Sequence, residues 1–120
     1  MKRYKITENN ITYDIEERDN GDKFWYLKGK FNRENGPAVE WCNGTIEWYK
    51  DGKRHRDNGP AYEDFDGYKS WHKNGNIHRT DGPAVEWTDG SKQYWYNGEY
   101  LEHINSDKDL KRYIKLLSIS

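Results

Sequence analysis

Trp48-Tyr49-Lys50-Asp51-Gly52-Lys53-Arg54-His55-Arg56-Asp57-Asn58-Gly59-Pro60-Ala61 is answered by Trp71-His72-Lys73-Asn74-Gly75-Asn76-Ile77-His78-Arg79-Thr80-Asp81-Gly82-Pro83-Ala84, 23 residues further on. The same interval leads back to Trp25 and forward to Tyr94. Two glycine series keep it: Gly29, Gly52, Gly75 and Gly98, and Gly21, Gly44, Gly67 and Gly90. So do Gly36-Pro37-Ala38, a column of acids (Glu17, Glu40, Glu63, Glu86) and a column of bases (Arg33, Arg56, Arg79). A fixed period with no insertion in any series is the signature of a repeat array.

Inside one unit the local signals are those of a hairpin. Ala38-Val39-Glu40-Trp41 is rich in strand formers and runs into the turn dipeptide Asn43-Gly44. Thr45-Ile46-Glu47-Trp48-Tyr49 returns and closes on Asp51-Gly52. From Lys53 to Pro60 a polar connection is expected, with Pro60 held out of the ladder because it lacks an N–H. The pattern predicts one continuous antiparallel sheet with strands over 11–18, 23–27, 38–41, 46–50, 61–64, 68–73, 84–87 and 92–96. Tyr4 and Ile6 suggest a further strand before these. After Ser106, a plausible N-cap, Leu110, Tyr113, Ile114 and Leu117 fall on one helical stripe. An open array leaves an apolar end, and this helix is read as its cap.

The expectation is therefore a mostly β, elongated antiparallel sheet of tandem β-hairpin repeats with a C-terminal capping α-helix. It is one domain, 1–120, with lead-in strands over 1–20, repeats over 21–98 and the helix over 106–118. Composition agrees with this. Only 32% of the residues are hydrophobic and 34% are charged, but six Trp, ten Tyr and three Phe supply an aromatic core. Twenty basic against 21 acidic residues, well mixed, speak against a strongly basic nucleic-acid binder or an acidic mimic of DNA. Cys42 is alone, so no intrachain disulfide forms, and a reducing, cytoplasmic setting is expected. Neither a signal peptide nor a membrane span is expected.

Glu47 to His55 resembles the MORN repeat in a variant form, and the unit extended through Gly59-Pro60-Ala61 is similar to the "DGPA"-type repeats of phage and giant-virus proteins. The resemblance covers about 21–98. It implies an elongated sheet of stacked hairpins and a viral or phage origin, hence the cytoplasm of an infected host cell. The family offers no shared catalytic residues to carry over.

His55 and His78 occupy a position where the first unit has Asn32, which fits a turn hydrogen bond better than catalysis. They lack the companion ligands and spacing of a metal site, and no metal, cofactor or catalytic residue is expected. Glu40, Glu63 and Glu86 share a strand face with Ala38, Ala61 and Ala84, so burial there calls for partners. Arg33, Arg56 and Arg79 are the expected ones. Trp25, Trp48, Trp71 and Tyr94 recur nearly unchanged and read as structural. Tyr26, Tyr49, His72 and Trp95 face the other way and vary, so they are read, with Arg54 and Arg56, as a partner-binding surface. The rival reading of that series is a cross-strand ladder that only stabilises the sheet.

The expected function is a non-enzymatic protein-interaction module, preferably a small viral protein that binds and inhibits a host protein of a defence system. A nucleotide or second-messenger sponge is the alternative, and a single-stranded nucleic-acid binder a further, unfavoured one. The N-terminal edge strand offers a route to a homodimer.

Overall fold

The computed structural model describes residues 1–119; Ser120 lies outside the described residues. Its strands are β1 (Lys2–Glu8), β2 (Ile11–Glu17), β3 (Lys23–Leu27), β4 (Lys30–Phe31), β5 (Val39–Glu40), β6 (Ile46–Glu47), β7 (Tyr49–Lys50) and β8 (Lys53–Arg54). They continue as β9 (Tyr62–Glu63), β10 (Lys69–Ser70), β11 (His72–Lys73), β12 (Asn76–Ile77), β13 (Val85–Glu86), β14 (Lys92–Gln93), β15 (Trp95–Tyr96) and β16 (Glu99–Tyr100), before α1 (Asp107–Leu117). The molecule measures 49 × 32 × 19 Å, and its radius of gyration is 16.5 Å. A compact chain of this length would have about 14 Å, so the array is elongated.

One antiparallel sheet runs in the order β1-β2-β3-β5-β6-β9-β10-β13-β14, with β4 paired to β3. The remaining strands form three separate hairpins, β7-β8, β11-β12 and β15-β16. Two sequence expectations are corrected by this. The strands expected over 46–50, 68–73 and 92–96 each break at the repeat aromatic, Trp48, Trp71 or Tyr94. Moreover, the polar connection expected from Lys53 begins as a strand, because Asp51 and Gly52 both adopt positive φ (51° and 79°). That is the pair of conformations a two-residue type I′ hairpin requires. Lys28-Gly29, Asn74-Gly75 and Asn97-Gly98 repeat it.

The break is a change of partner. The Trp48 amide donates to the Ala61 carbonyl at 2.7 Å, while its own carbonyl accepts from the His55 amide at 3.1 Å. Residues before Trp48 belong to the main sheet; residues after it belong to the outer hairpin. Successive hairpins are joined in turn, Arg33 N to Tyr49 O at 3.2 Å and Gly52 N to Phe31 O at 2.9 Å. The other turns, at Gly44, Gly67 and Gly90, are wider. Trp41 N donates to Thr45 O and Gly44 N to Trp41 O, closing a loop with glycine at positive φ.

Burial is thin, and its main apolar clusters lie at the two ends of the array. Tyr13, Ile15, Trp25 and Ala38 form the cluster at the N-terminal end. At the other end Tyr94, Leu101 and Leu110 meet beneath α1, with Tyr113 and Ile114 at its margin. The Ser106 hydroxyl accepts from Asp109 N at 3.1 Å, so the expected N-cap is formed. Tyr94 donates to Asp107 at 2.7 Å, which ties the last repeat to the first turn of the helix. Among the described residues, no helix is long and apolar enough to cross a membrane.

Candidate functional site

The strand registers divide the repeat residues between two faces. One face carries Trp25, Trp48, Trp71 and Tyr94 beside the fully buried Ala38, Ala61 and Ala84. Each arginine of the basic column lies flat on its own indole: Arg33 on Trp25 at 3.7 Å, Arg56 on Trp48 at 3.9 Å and Arg79 on Trp71 at 4.0 Å. Stacking of a guanidinium on a ring is favourable and leaves the in-plane donors free. Those donors reach the carbonyls of Pro37, Pro60 and Pro83 at 3.0–3.2 Å. They also approach Glu40, Glu63 and Glu86, at 4.0, 3.9 and 3.2 Å, so all three ionic pairs of the columns are formed. The opposite side of each guanidinium rests on glycine. A Cβ on Gly36, Gly59 or Gly82 would lie 2.6–2.8 Å from the arginine's central carbon. The repeated Arg-x-x-Gly-Pro-Ala is thus a sandwich: indole, guanidinium, bare backbone.

Histidines of the repeat serve its turns. His55 Nδ1 accepts from Asn74 N at 3.0 Å, and His78 Nδ1 from Asn97 N at 2.9 Å. Asn32 does the corresponding work from its amide, donating to Asp51 at 3.2 Å. His55 Nε2 lies 2.9 Å from Asp57 Oδ1; with Nδ1 accepting, Nε2 is the protonated nitrogen. His103 is exposed beside Glu102. Among the described residues, no three His, Cys, Asp or Glu stand together to hold a metal ion.

On the other face the outer hairpins make one cross-strand ladder. Tyr26 opposes Phe31, Tyr49 opposes Arg54, His72 opposes Ile77 and Trp95 opposes Tyr100. Tyr26 and Tyr49 lie on either side of Phe31, each with its centroid 5.1 Å away. The creases at the repeat aromatics fold this ladder toward the inner row Phe24, Glu47, Ser70 and Gln93. Here Ser70 Oγ meets His72 Nε2 at 2.8 Å and Gln93 Oε1 accepts from Trp95 Nε1 at 3.0 Å. His72 is consequently buried. Burial, and then the positive charge of Arg54, push its pKa down to about 4.

Of the residues read from the sequence as partner-binding, Tyr49 and Arg54 come together, and Arg56 lies on the opposite face. Tyr26 and Trp95 are half-buried at the two ends of the ladder. What brings Tyr49 and Arg54 together is Glu47. The residue is 6% exposed, and its carboxylate accepts from Trp41 Nε1 at 2.7 Å, Tyr49 Oη at 2.8 Å and Arg54 Nη2 at 2.8 Å. Burial by itself would raise its pKa, but the hydrogen bonds from Trp41, Arg54 and Tyr49 outweigh it and hold the carboxyl below its ordinary value. The signal for this cluster was in the sequence, as the one acid in the series Phe24, Glu47, Ser70, Gln93.

A second feature without a place in the strand pattern lies at the wide loops. Phe65, in the loop after Asp64, is 63% exposed, and Trp41 and Trp87 are more than a third exposed at the neighbouring loops. The loops stack, since Phe65 N donates to Thr45 Oγ1 at 3.2 Å and its Cβ would touch a side chain on Gly44 at 3.9 Å. Between these rings, Tyr62 packs on Tyr68 at 5.9 Å and Tyr68 on Trp87 at 5.7 Å. Cys42, exposed on the loop before, has its thiol pKa raised by Asp22. The face of the indole stacks carries two grooves at the repeat interval. One, of about 660 Å³, lies between the first and second arginine stacks. The next, of about 420 Å³, lies between the second and third.

No family model matches the chain, and no curated protein and no solved structure matches it.

Proposed function

We propose that the chain is a non-enzymatic protein-binding module that docks through the aromatic edge formed by its wide loops. The observation that carries this reading is Phe65 at 63% exposure, flanked at successive loops by the part-exposed Trp41 and Trp87. The fold does not require large rings there: the equivalent loop positions hold Cys42 and Thr88 for Phe65, and Asp64 for Trp87. Exposed aromatics on a rigid edge are what interface anchors look like, because a ring buries much area and has few torsions to freeze. The specific form we favour is a small phage or viral protein that binds and inhibits a host defence component. Its support is the resemblance of the repeats.

A nucleotide or second-messenger sponge would need open rings beside arginines. In this chain each repeat arginine is already stacked on its indole at 3.7–4.0 Å, so the aromatic and the cation satisfy each other. Capture from host-cell lysate tests the docking edge, with the native chain compared against Phe65→Ser and Trp87→Ser. A partner held by the native chain and released by both variants, with melting unchanged, supports it. A partner held equally by all three places the interface elsewhere.

A further inference from the structure

The three arginine stacks differ in one respect. The Nε and Nη2 edge of Arg33 is taken by Glu8 in a two-point pair, at 3.1 and 3.0 Å. The Nε of Arg79 is taken by Asp81 at 2.8 Å. Arg56 has neither. Its contacts are the stack on Trp48, the Pro60 carbonyl and Glu63, which lies 3.9 Å from Nη1. The cause is legible in the chain. Glu8 is the residue that closes its two-residue turn, paired with Ile11, and at the same hairpin position the next unit has Leu27, paired with Lys30. Asp81 stands two residues after its arginine, where the middle unit has Asn58. Arg56 is also the most exposed of the three, at 26% against 16% for Arg33 and 22% for Arg79.

Arg56 lines the groove of about 660 Å³ that Leu27, Asn35, Trp48 and Asn58 also help to line. Of the acids already on that groove, two are engaged elsewhere and none is paired with Arg56. Asp57 pairs with His55, Asp51 accepts from Asn32, and Glu34 makes no ion pair among the described residues. We propose that Arg56 is a receptor for a carboxylate supplied from outside the chain, an Asp or Glu side chain of a bound peptide segment laid in this groove. The chain itself points to this occupant, because carboxylates fill the corresponding edge in the stacks on either side. A planar guanidinium fixed by an indole is pre-organised for such two-point recognition, so little ordering remains to be done on binding. The peptide source rests on the reading of the chain as a protein-binding module; the carboxylate chemistry does not.

The probe is a blocked peptide, acetyl-Ala-Ala-Glu-Ala-Ala-amide, with its Gln twin and inorganic phosphate as the other arms. The readout is the side-chain Nε–H resonance of Arg56 by NMR. A saturable shift with the Glu peptide is expected, at least about tenfold weaker with the Gln twin, since only the first makes charge-assisted bonds. The Arg33 resonance stays in place, its partner Glu8 being already bound. Asn58→Asp and Leu27→Glu, which install the acids of the sister repeats, should close the site without lowering the melting temperature. Arg56→Gln removes the reporting resonance together with the receptor, so the two acid-installing variants carry the test. Equal response to both peptides, tighter saturation by phosphate, no response at all, or full binding by Asn58→Asp would each overturn the proposal. Phe65→Ser is the control that separates the two readings: it removes the loop anchor and leaves the Arg56 response unchanged.

Discussion

Gly36 lies so close to Arg33 that a methyl group on it would sit 2.6 Å from the guanidinium carbon. Its φ is outside the left-handed region, so the residue is glycine for want of space and not for its backbone. Gly36→Ala should therefore destabilise the chain by about 1–3 kcal/mol, the usual cost of overpacking. Urea unfolding of Gly36→Ala, Arg33→Ala and the double variant checks the mechanism. Once the guanidinium is gone the added methyl has room, so the two effects should fall well short of additive. Full additivity would place the clash elsewhere.

The buried Glu47 and the half-buried Arg54 form an ion pair with an internal alternative. The first repeat has Phe24 and Phe31 at the corresponding positions. Glu47→Gln should cost about 3 kcal/mol, because it leaves the half-buried Arg54 and two further donors without their anion. The double change Glu47→Phe with Arg54→Phe imports the apolar solution of the first repeat and should be close to neutral. Denaturant midpoints of the two variants decide this, and the reverse order of stabilities would refute it.

Stability should fall with acid through His72. Its folded pKa is about 4 against an ordinary 6.5, so between these values the unfolded chain binds the proton and the folded chain resists it. Stability is then complete above pH 6.5 and is lost as pH falls toward 4, by about 2 kcal/mol once some solvent access to the ring is allowed for. Unfolding curves across that range test it. The slope should flatten in His72→Gln, which cannot take up the proton.

Leu110 is fully buried where α1 covers the last repeat. Leu110→Ala should cost about 3 kcal/mol. In an array the loss should also be local, because each unit is supported by its neighbours alone. Hydrogen exchange should quicken first at Leu101 N, which bonds Tyr94 O at 2.9 Å, and last around Tyr13 and Trp25. Uniform loss of protection would show that the chain unfolds as a single cooperative block.

The repeat, its turns and the capping helix could be read from residue spacing because each rests on local chemistry: Asn43-Gly44, Asp51-Gly52, Ser106. The ionic columns were legible for the same reason, as residues in fixed register must meet whatever their register meets. The crease at Trp48 was not. Its strand residues look continuous, and the change of partner depends on the type I′ turn three residues later, which Asp-Gly permits but does not compel. The burial of His72 follows from that crease and was hidden with it. Glu47 and Phe65 could have been found by asking where each repeated column changes its chemistry.

The links between neighbouring hairpins have a genetic consequence. His55 supports the turn at Asn74, and Arg56 N bonds His72 O at 3.2 Å, so the structural unit straddles any boundary drawn in the sequence. No breakpoint is therefore privileged. An in-frame duplication of any 23 consecutive codons within the array would keep the hairpin register on both sides of the insertion, whereas one of 22 or 24 would break it. Unequal recombination can lengthen or shorten this gene in whole steps while the hairpin at one terminus and the helix at the other keep their places. A population of such genes should differ in copy number long before it differs in fold.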